Sequence, residues 1–250
     1  MSGVFNRVIP CLLLQDGGLV KTQRFKHPKY VGDPINAIRI FNDKYVDELI
    51  FLDISASKLN KEPDYDLISR IAGECFMPLC YGGGIKTLEQ ARKLVSIGVE
   101  KISINSMAIH DLDLIKQLVA ELGSQSVVGA MDIKHNLWGK EYVYDASKSK
   151  LTHWSPLDHV ERLVDAGVGE IFINDVDRDG MMKGYDLELI KSLSQAIDVP
   201  LVACGGAGNV DHLSDGINKG LASAVAAGSM FVFYGKHRAV LINYPKGIFL

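Results

Sequence analysis

Three features of the sequence predict an α/β fold, a closed (βα)8 barrel of the TIM type. Eight short β-rich apolar runs recur along the chain, amphipathic segments separate most of them, and the two halves repeat one another. Alternating strands and helices imply a parallel sheet, and eight such units in 250 residues match the size of a closed barrel. An open doubly wound sheet fits less well, because no G-x-G-x-x-G follows the first strand.

The strands are expected at "RVIPCLLL" (7–14), "ELIFLDI" (48–54), "MPLCYGG" (77–83), "EKISIN" (100–105), "SVVGAMDI" (126–133), "EIFIND" (170–175), "VPLVACGG" (199–206) and "ASAVAAGS" (222–229). Near-continuous apolar runs of this kind suit strands buried on both faces. Helices are expected from Pro34 to Tyr45, Leu88 to Ile97, Leu112 to Leu122, Leu157 to Ala166 and Leu187 to Ile197, where apolar residues recur at i, i+3, i+4 and i+7. "QDGGLVKTQRFKHPKYVG", after the first strand, reads as a flexible loop. "HNLWGKEYVYDASKSKLTHW" (135–154) alternates aromatic and polar residues and reads as a small hairpin inserted after strand five.

The repeat is specific. "PLCYGGGIKTLEQARKLVSIGVEKISINS" from Pro78 pairs with "PLVACGGAGNVDHLSDGINKGLASAVAAGS" from Pro200, and "DELIFLDI" from Asp47 pairs with "GEIFINDV" from Gly169 at the same offset. The expected organisation is one barrel domain, 1–250, made of half-barrels at about 1–122 and 123–250. On this pairing Leu13, near the end of the first strand, matches Asp132 near the end of the fifth.

A chain that is 47% hydrophobic and 23% charged, with 24 glycines, has the makings of a large core. The formal net charge of -3 removes any general attraction to nucleic acid or anionic membrane. Cys11, Cys75, Cys80 and Cys204 form no C-x-x-C pair and lie in apolar stretches, so reduced thiols and a cytoplasmic location are expected. "ASAVAAGSMFVFY" is too short for a span of about 20 residues, and the N-terminus shows no cleavable signal pattern.

Glycine turns after strands bind phosphate through backbone N–H groups without needing net positive charge. Gly82, Gly83 and Gly84, with Asn105 and Ser106, form one candidate anion site. Gly205, Gly206 and Gly208, with Ala227, Gly228 and Ser229, form a second, so the implied ligand is an extended anion or carries phosphate at both ends. Tight turns alone also call for glycine, and only the duplication at matching strand ends raises the functional reading above that one.

Over nearly its whole length the chain resembles the cyclase (synthase) subunit of imidazole glycerol phosphate synthase. The match rests on "RVIPCL", "DGGLVK", "GDP", "DELIFLDISAS", "YGGGI", "KISIN", "GSQSVVGAMD", "DRDGMMKGYDLELI" and "GGAGN". The resemblance implies a barrel that receives ammonia from a glutaminase subunit. At its C-terminal face two aspartates, as general acid and base, cleave and cyclise a bisphosphate. One of those aspartates matches Asp132 and the other falls on Leu13. The ammonia gate matches Arg7, Glu48, Lys101 and Glu170, and the substrate-attending loop lysine matches Lys21. Asp53, Asn105 and Asp179 fall on polar active-face positions, and Asp179 and Gly180 are expected among the phosphate-binding residues with the second glycine site. The partners implied are the glutaminase and a phosphorylated small molecule, without nucleic acid, membrane, cofactor or metal.

A leucine cannot give or take a proton, and a positioned acid or base is worth about 10²- to 10⁴-fold in rate. The chain therefore also resembles a branch of the family that works with a glutaminase-like protein and a separate sugar amidotransferase to place acetamidino groups on nucleotide-linked sugars of surface glycans such as lipopolysaccharide. That is the primary expectation. Two others stay open: a cyclase (a lyase) rescued by another acid among Asp53, Asp177 and Asp179, and a non-catalytic ammonia conduit. Blander readings stand beside these. Asp132 would serve as a structural acceptor, the four gate charges as a plug of paired ions, and Lys21 as an exposed lysine. His27, His110, His135, His153, His159, His212 and His237 show no metal spacing and are assigned no catalytic role.

Overall fold

The structure is a computed structural model that describes residues 6–245. Strand β1 (Arg7–Gln15) is followed by a hairpin, β2 (Gly18–Gln23) and β3 (Lys26–Gly32), then helix α1 (Pro34–Asp43) and β4 (Leu49–Asp53). The chain continues through α2 (Tyr65–Glu74), β5 (Leu79–Gly82), α3 (Leu88–Ser96), β6 (Lys101–Ile104), the short α4 (Ser106–His110) and α5 (Leu112–Leu122) to β7 (Val127–His135). Next come β8 (Glu141–Asp145), β9 (Lys150–Leu151), α6 (Pro156–Asp165), β10 (Glu170–Asp175), α7 (Leu187–Ala196), β11 (Leu201–Cys204), α8 (Val210–Asn218) and β12 (Ala224–Ala227). The described chain closes with α9 (Ser229–Val232), β13 (Phe233–Tyr234) and β14 (Ala239–Val240).

β1, β4, β5, β6, β7, β10, β11 and β12 pair in parallel in that order, and β12 pairs back onto β1. The eight predicted runs are thus the eight barrel strands. Side chains of alternating parity fill the two sides of this closed sheet. Ile9, Cys11, Leu13, Ile50, Cys80, Val128, Ala130, Phe172, Val202, Cys204, Ala224 and Ala226 cluster inside the barrel. Their neighbours along each strand, such as Val8, Leu12, Leu49, Phe51, Met131 and Ile171, pack against the helices outside.

Helix starts follow from side chains that the sequence supplies. Asp33, Asp64, Thr87, Asp111, Ser155, Asp186 and Asn209 each accept the backbone N–H three residues on, relieving one of the orphan donors of a helix N-terminus. Thr87 and Gln90 form a reciprocal capping box.

The segment read as a flexible first loop is an ordered hairpin instead. Gln15 pairs with Gly18 across Asp16 and Gly17, whose φ values of 50° and 78° make the mirror-image turn that matches strand twist. The insertion after strand five is also more than a hairpin. β7 extends past the barrel rim and pairs with β8 from Asp132↔Tyr144 to His135↔Glu141, so the insertion grows directly out of a barrel strand. Its tip exposes Leu137 and Trp138 almost fully.

The half-to-half repeat reappears in hydrogen bonds. The N–H of Leu49 donates to the carbonyl of Pro78, and that of Ile171 donates to Pro200, both at 2.9 Å. Asp53 Oδ1 accepts from the N–H groups of Ser55 and Ala56, as Asp175 Oδ1 does from Asp177 and Arg178. A side chain on Gly83 would lie 2.5 Å from the carbonyl oxygen of Asp53, and one on Gly205 would lie 2.7 Å from that of Asp175. With φ of +125° and +93°, both positions exclude other residues for steric reasons alone.

Replacing Thr87 by Ala removes one half of the capping box. The expected loss is about 1 kcal/mol of stability, read as a lower urea midpoint at an unchanged m-value.

Candidate active site

At the N-terminal end of the barrel four charges form a ring. Arg7 reaches Glu48 at 2.5 Å and Glu170 at 2.6 Å, and Lys101 reaches the same two carboxylates at 3.0 and 3.2 Å. Glu48 is 3% exposed at its side chain, so the ring is a largely desolvated floor. Removing one member of such a group leaves an unpaired buried charge, while the intact group is roughly neutral for stability. Above the floor the barrel interior is lined by Ile9, Ile50, Val128, Val202 and Ala224, with the buried thiols of Cys11, Cys80 and Cys204. All four cysteines are free, and burial pushes Cys75 up to about 12 and Cys80 well above its usual value.

The opposite, C-terminal end opens into a cavity of about 260 Å³. Leu13, Asp53, Asn105, Ser106, Asp132 and Asp179 line it, together with Gly82, Gly83 and Gly84. It thus gathers the first candidate anion site with Asp132 and Leu13. Asp132 stands in register with Asn174 on β10 and accepts a 2.9 Å hydrogen bond from Asn105 Nδ2. Burial is the main influence on its carboxyl and raises it to about 7, against the opposing Asn105 hydrogen bond and with a further push from Asp179. Leu13, Leu52, Ala130 and Phe172 supply an apolar part of that wall. A carboxylic acid poised near neutrality in apolar surroundings suits proton transfer at physiological pH.

The three acids weighed as substitutes separate by position. Asp53 pairs in register with Leu14, and its Oδ1 is tied to Ser55 and Ala56; Asp179 accepts from Thr22 Oγ1 at 2.9 Å. Both line the cavity, whereas Asp177 turns away to accept from the N–H of His135. Burial raises Asp179, with Lys21 the chief opposing influence.

The second candidate anion site is built differently from the first. Gly180, Gly205, Gly206, Ala227, Gly228 and Ser229 do not line the cavity. The hairpin β2–β3 lies against Gly180 and Gly228 instead, with the Thr22 carbonyl next to Gly180. Lys21 is 6% exposed, which overturns the reading of an ordinary exposed loop lysine. Its Nζ donates to the Cys11 carbonyl at 2.5 Å and rests against Gly228. Arg238, which the sequence gave no reason to single out, donates to the Gly180 carbonyl at 3.1 Å and to Ser229 Oγ at 3.5 Å. A cationic lysine and arginine thus stand over this half of the mouth.

Tertiary structure also gathers groups that have no spacing signature. His135, Asp175 and Asp177 bring ligand-type atoms within 4.8 Å of one another, but Arg178 Nε sits 3.2 Å from Asp175 Oδ2 and pairs the cluster internally. Asn174 lines the cavity with a buried Oδ1 that has no hydrogen-bond partner among the described residues. No helix among the described residues is long and apolar enough to cross a membrane.

The site is the mouth of a duplicated (βα)8 barrel with a charged floor, an apolar interior and a near-neutral acid. Comparison with known proteins narrows this. The family model for histidine biosynthesis proteins matches residues 7–238. A provisionally named imidazole glycerol phosphate synthase subunit hisF2 of Pseudomonas aeruginosa is 59% identical, over 97% of this chain and 96% of its own. A provisionally named HisF subunit of Leptospira interrogans is 51% identical, over 96% and 95%. The imidazole glycerol phosphate synthase subunit HisF of Alkaliphilus metalliredigens is 40% identical, over 91% and 90%. The chain belongs to the HisF family of imidazole glycerol phosphate synthase subunits.

Asp132 binds a proton in the folded state that the unfolded chain, with a carboxyl near 3.8, releases earlier. Between about pH 4 and 7 the native state holds more protons, so this group's contribution to stability falls as pH rises and then levels off. Asp132→Asn is therefore expected to raise the melting temperature relative to the natural protein at pH 8 and to leave it nearly unchanged at pH 4. Equal effects at both pH values would show that the carboxyl is not displaced upward.

Proposed function

We propose that the chain is the ammonia-accepting synthase subunit of a glutamine-dependent complex, acting on a phosphorylated small molecule at the C-terminal mouth. The observation that carries this is Asp132, a desolvated acid raised to about 7, set at the far end of an apolar shaft from a closed ring of charges. Ammonia is small and neutral enough to traverse an apolar interior that excludes ions. Parting of the Arg7, Glu48, Lys101 and Glu170 ring would admit it. The glutaminase that supplies it docks at the same end, where Tyr45 and Phe76, in the turns before β4 and β5, are strongly exposed.

At the mouth, Gly82, Gly83, Gly84, Asn105 and Ser106 hold one phosphate. Gly180, Gly205, Gly206, Ala227, Gly228 and Ser229, with Lys21 and Asp179 beside them, hold the other anionic end once the hairpin shifts. An attacking nitrogen must lose a proton and the departing group must gain one. Asp132, half-protonated near neutrality, can give and take in turn. The names of the relatives support imidazole glycerol phosphate formation, a lyase reaction, as the chemistry.

Leu13 favours a second reading. A mouth without the first carboxyl suits delivery of ammonia to a separate sugar amidotransferase, for acetamidino modification of a nucleotide sugar in surface glycan biosynthesis. That chemistry does not require cyclisation on this barrel.

The test is turnover of the histidine-pathway bisphosphate by the purified protein with saturating ammonium salt at alkaline pH, beside Leu13→Asp and Asp132→Asn. Cyclisation by the natural protein, lowered about 10²- to 10⁴-fold in Asp132→Asn, is the expected result. No turnover by the natural protein, with activity appearing only in Leu13→Asp, would overturn the cyclase reaction and leave sugar amidination.

A further inference from the structure

The cavity holds one group that neither the strand ends nor the glycine turns account for. Ser106 and His110, one turn apart on α4, share a helix face, and both line the cavity with Met107 between them. The residue before α4 is Asn105, the hydrogen-bond partner of Asp132. His110 therefore stands one helical turn from the acid's own partner, on the rim of the same space.

Its ring is fixed from the inserted segment. Asp145, at the end of β8, is fully buried and lies 2.9 Å from His110 Nε2 through Oδ2. The other oxygen, Oδ1, accepts from Ser147 N–H at 3.0 Å, Ser147 Oγ at 2.5 Å and Lys148 N–H at 3.2 Å. Burial pushes this carboxyl up, but the hydrogen bonds from Ser147, His110 and Lys148 outweigh it and hold Asp145 below its usual value. Asp145 is thus an immobile carboxylate whose free lone pairs face one imidazole nitrogen.

Lys148 Nζ also lies 3.0 Å from Nε2 and 3.8 Å from Asp145 Oδ2. The two contacts demand opposite tautomers, because an ammonium can only donate and a carboxylate can only accept. The buried carboxylate, anchored by three hydrogen bonds, prevails over an ammonium that is half exposed on a flexible stem. Nε2 consequently carries the hydrogen. Nδ1 makes no hydrogen bond among the described residues and keeps a lone pair or a second proton for a ligand.

We infer that His110, oriented by Asp145, is the second proton-handling group of this mouth, working opposite Asp132 in place of the carboxyl that Leu13 cannot supply. The inference rests on the ammonia-dependent reaction proposed above. As the new bond from ammonia nitrogen to substrate carbon forms, one N–H proton passes to His110 Nδ1. As the old bond breaks, the proton of Asp132 passes to the departing heteroatom, and both groups then exchange with solvent. A base whose far nitrogen is held by a fixed carboxylate is a recurrent way to set tautomer and orientation together.

Two readouts test it on the full chain. Long-range proton–nitrogen NMR of the histidine rings, assigned with His110→Gln, is expected to show the Nε2–H tautomer in the natural protein and a changed tautomer balance in Asp145→Asn, with Lys148→Met as the control that keeps the Nε2–H form. An Nδ1–H tautomer, or a tautomer indifferent to Asp145, would overturn the inference whatever the substrate. In the ammonia-dependent assay, His110→Gln is expected to lower kcat about 10²- to 10⁴-fold with KM for the bisphosphate within about threefold. A merely structural brace between α4 and the insertion would lower the melting temperature and leave kcat intact, which also overturns it. If the natural protein turns over no bisphosphate, the proposed reaction fails, and the tautomer alone decides the pair.

Discussion

Closure of the eight-stranded sheet is the constraint on which the rest depends. Once β12 pairs with β1 and β7 with β10, every second side chain must point into a narrow interior, and what the chain places there is stacked in layers. The lowest layer is ionic, built from Arg7, Glu48, Lys101 and Glu170. The middle is apolar, and the top carries Asp132 beside Leu13. A floor of paired ions is poor value for stability alone, since apolar residues of similar volume would serve as well. Its presence beneath an apolar shaft is understandable if something small and neutral must pass.

Leu13 places an apolar side chain on the wall of the cavity that Asp132 shares. A carboxyl taken out of water is displaced upward, and for Asp132 burial is the main cause, with a further push from Asp179. On the rim of the same cavity, His110 meets the fully buried Asp145 of the inserted segment at 2.9 Å.

The two halves of the barrel share their turn geometry down to matched aspartate, carbonyl and glycine contacts, yet they differ in what covers them. Around Gly82, Gly83 and Gly84 the mouth is open. Around Gly180 and Gly228 the β2–β3 hairpin, Lys21 and Arg238 close it. The difference arises from insertions outside the repeat: a hairpin after β1 in the first half reaches across to roof the second. The repeat gives the two ends a common turn frame, and segments outside it make them unequal.

By itself the sequence determined the barrel, because eight apolar runs with helices between them leave few other ways to bury both faces of a parallel sheet. The resemblance carried by its motifs also marked Arg7, Glu48, Lys101 and Glu170, which the structure joins in one ring, and Asp132, with Leu13 at the matching strand end. Asp16-Gly17 carried the turn signal for the first hairpin, although glycine-rich composition read as flexibility there. Only the tertiary structure decided that Lys21 is buried, that Asp177 turns from the mouth while Asp53 and Asp179 enter it, and that His110 meets Asp145. Those outcomes depend on how loops from separate βα units converge above the barrel. A histidine and an aspartate 35 residues apart on different elements share no periodicity, so no spacing rule could have joined them.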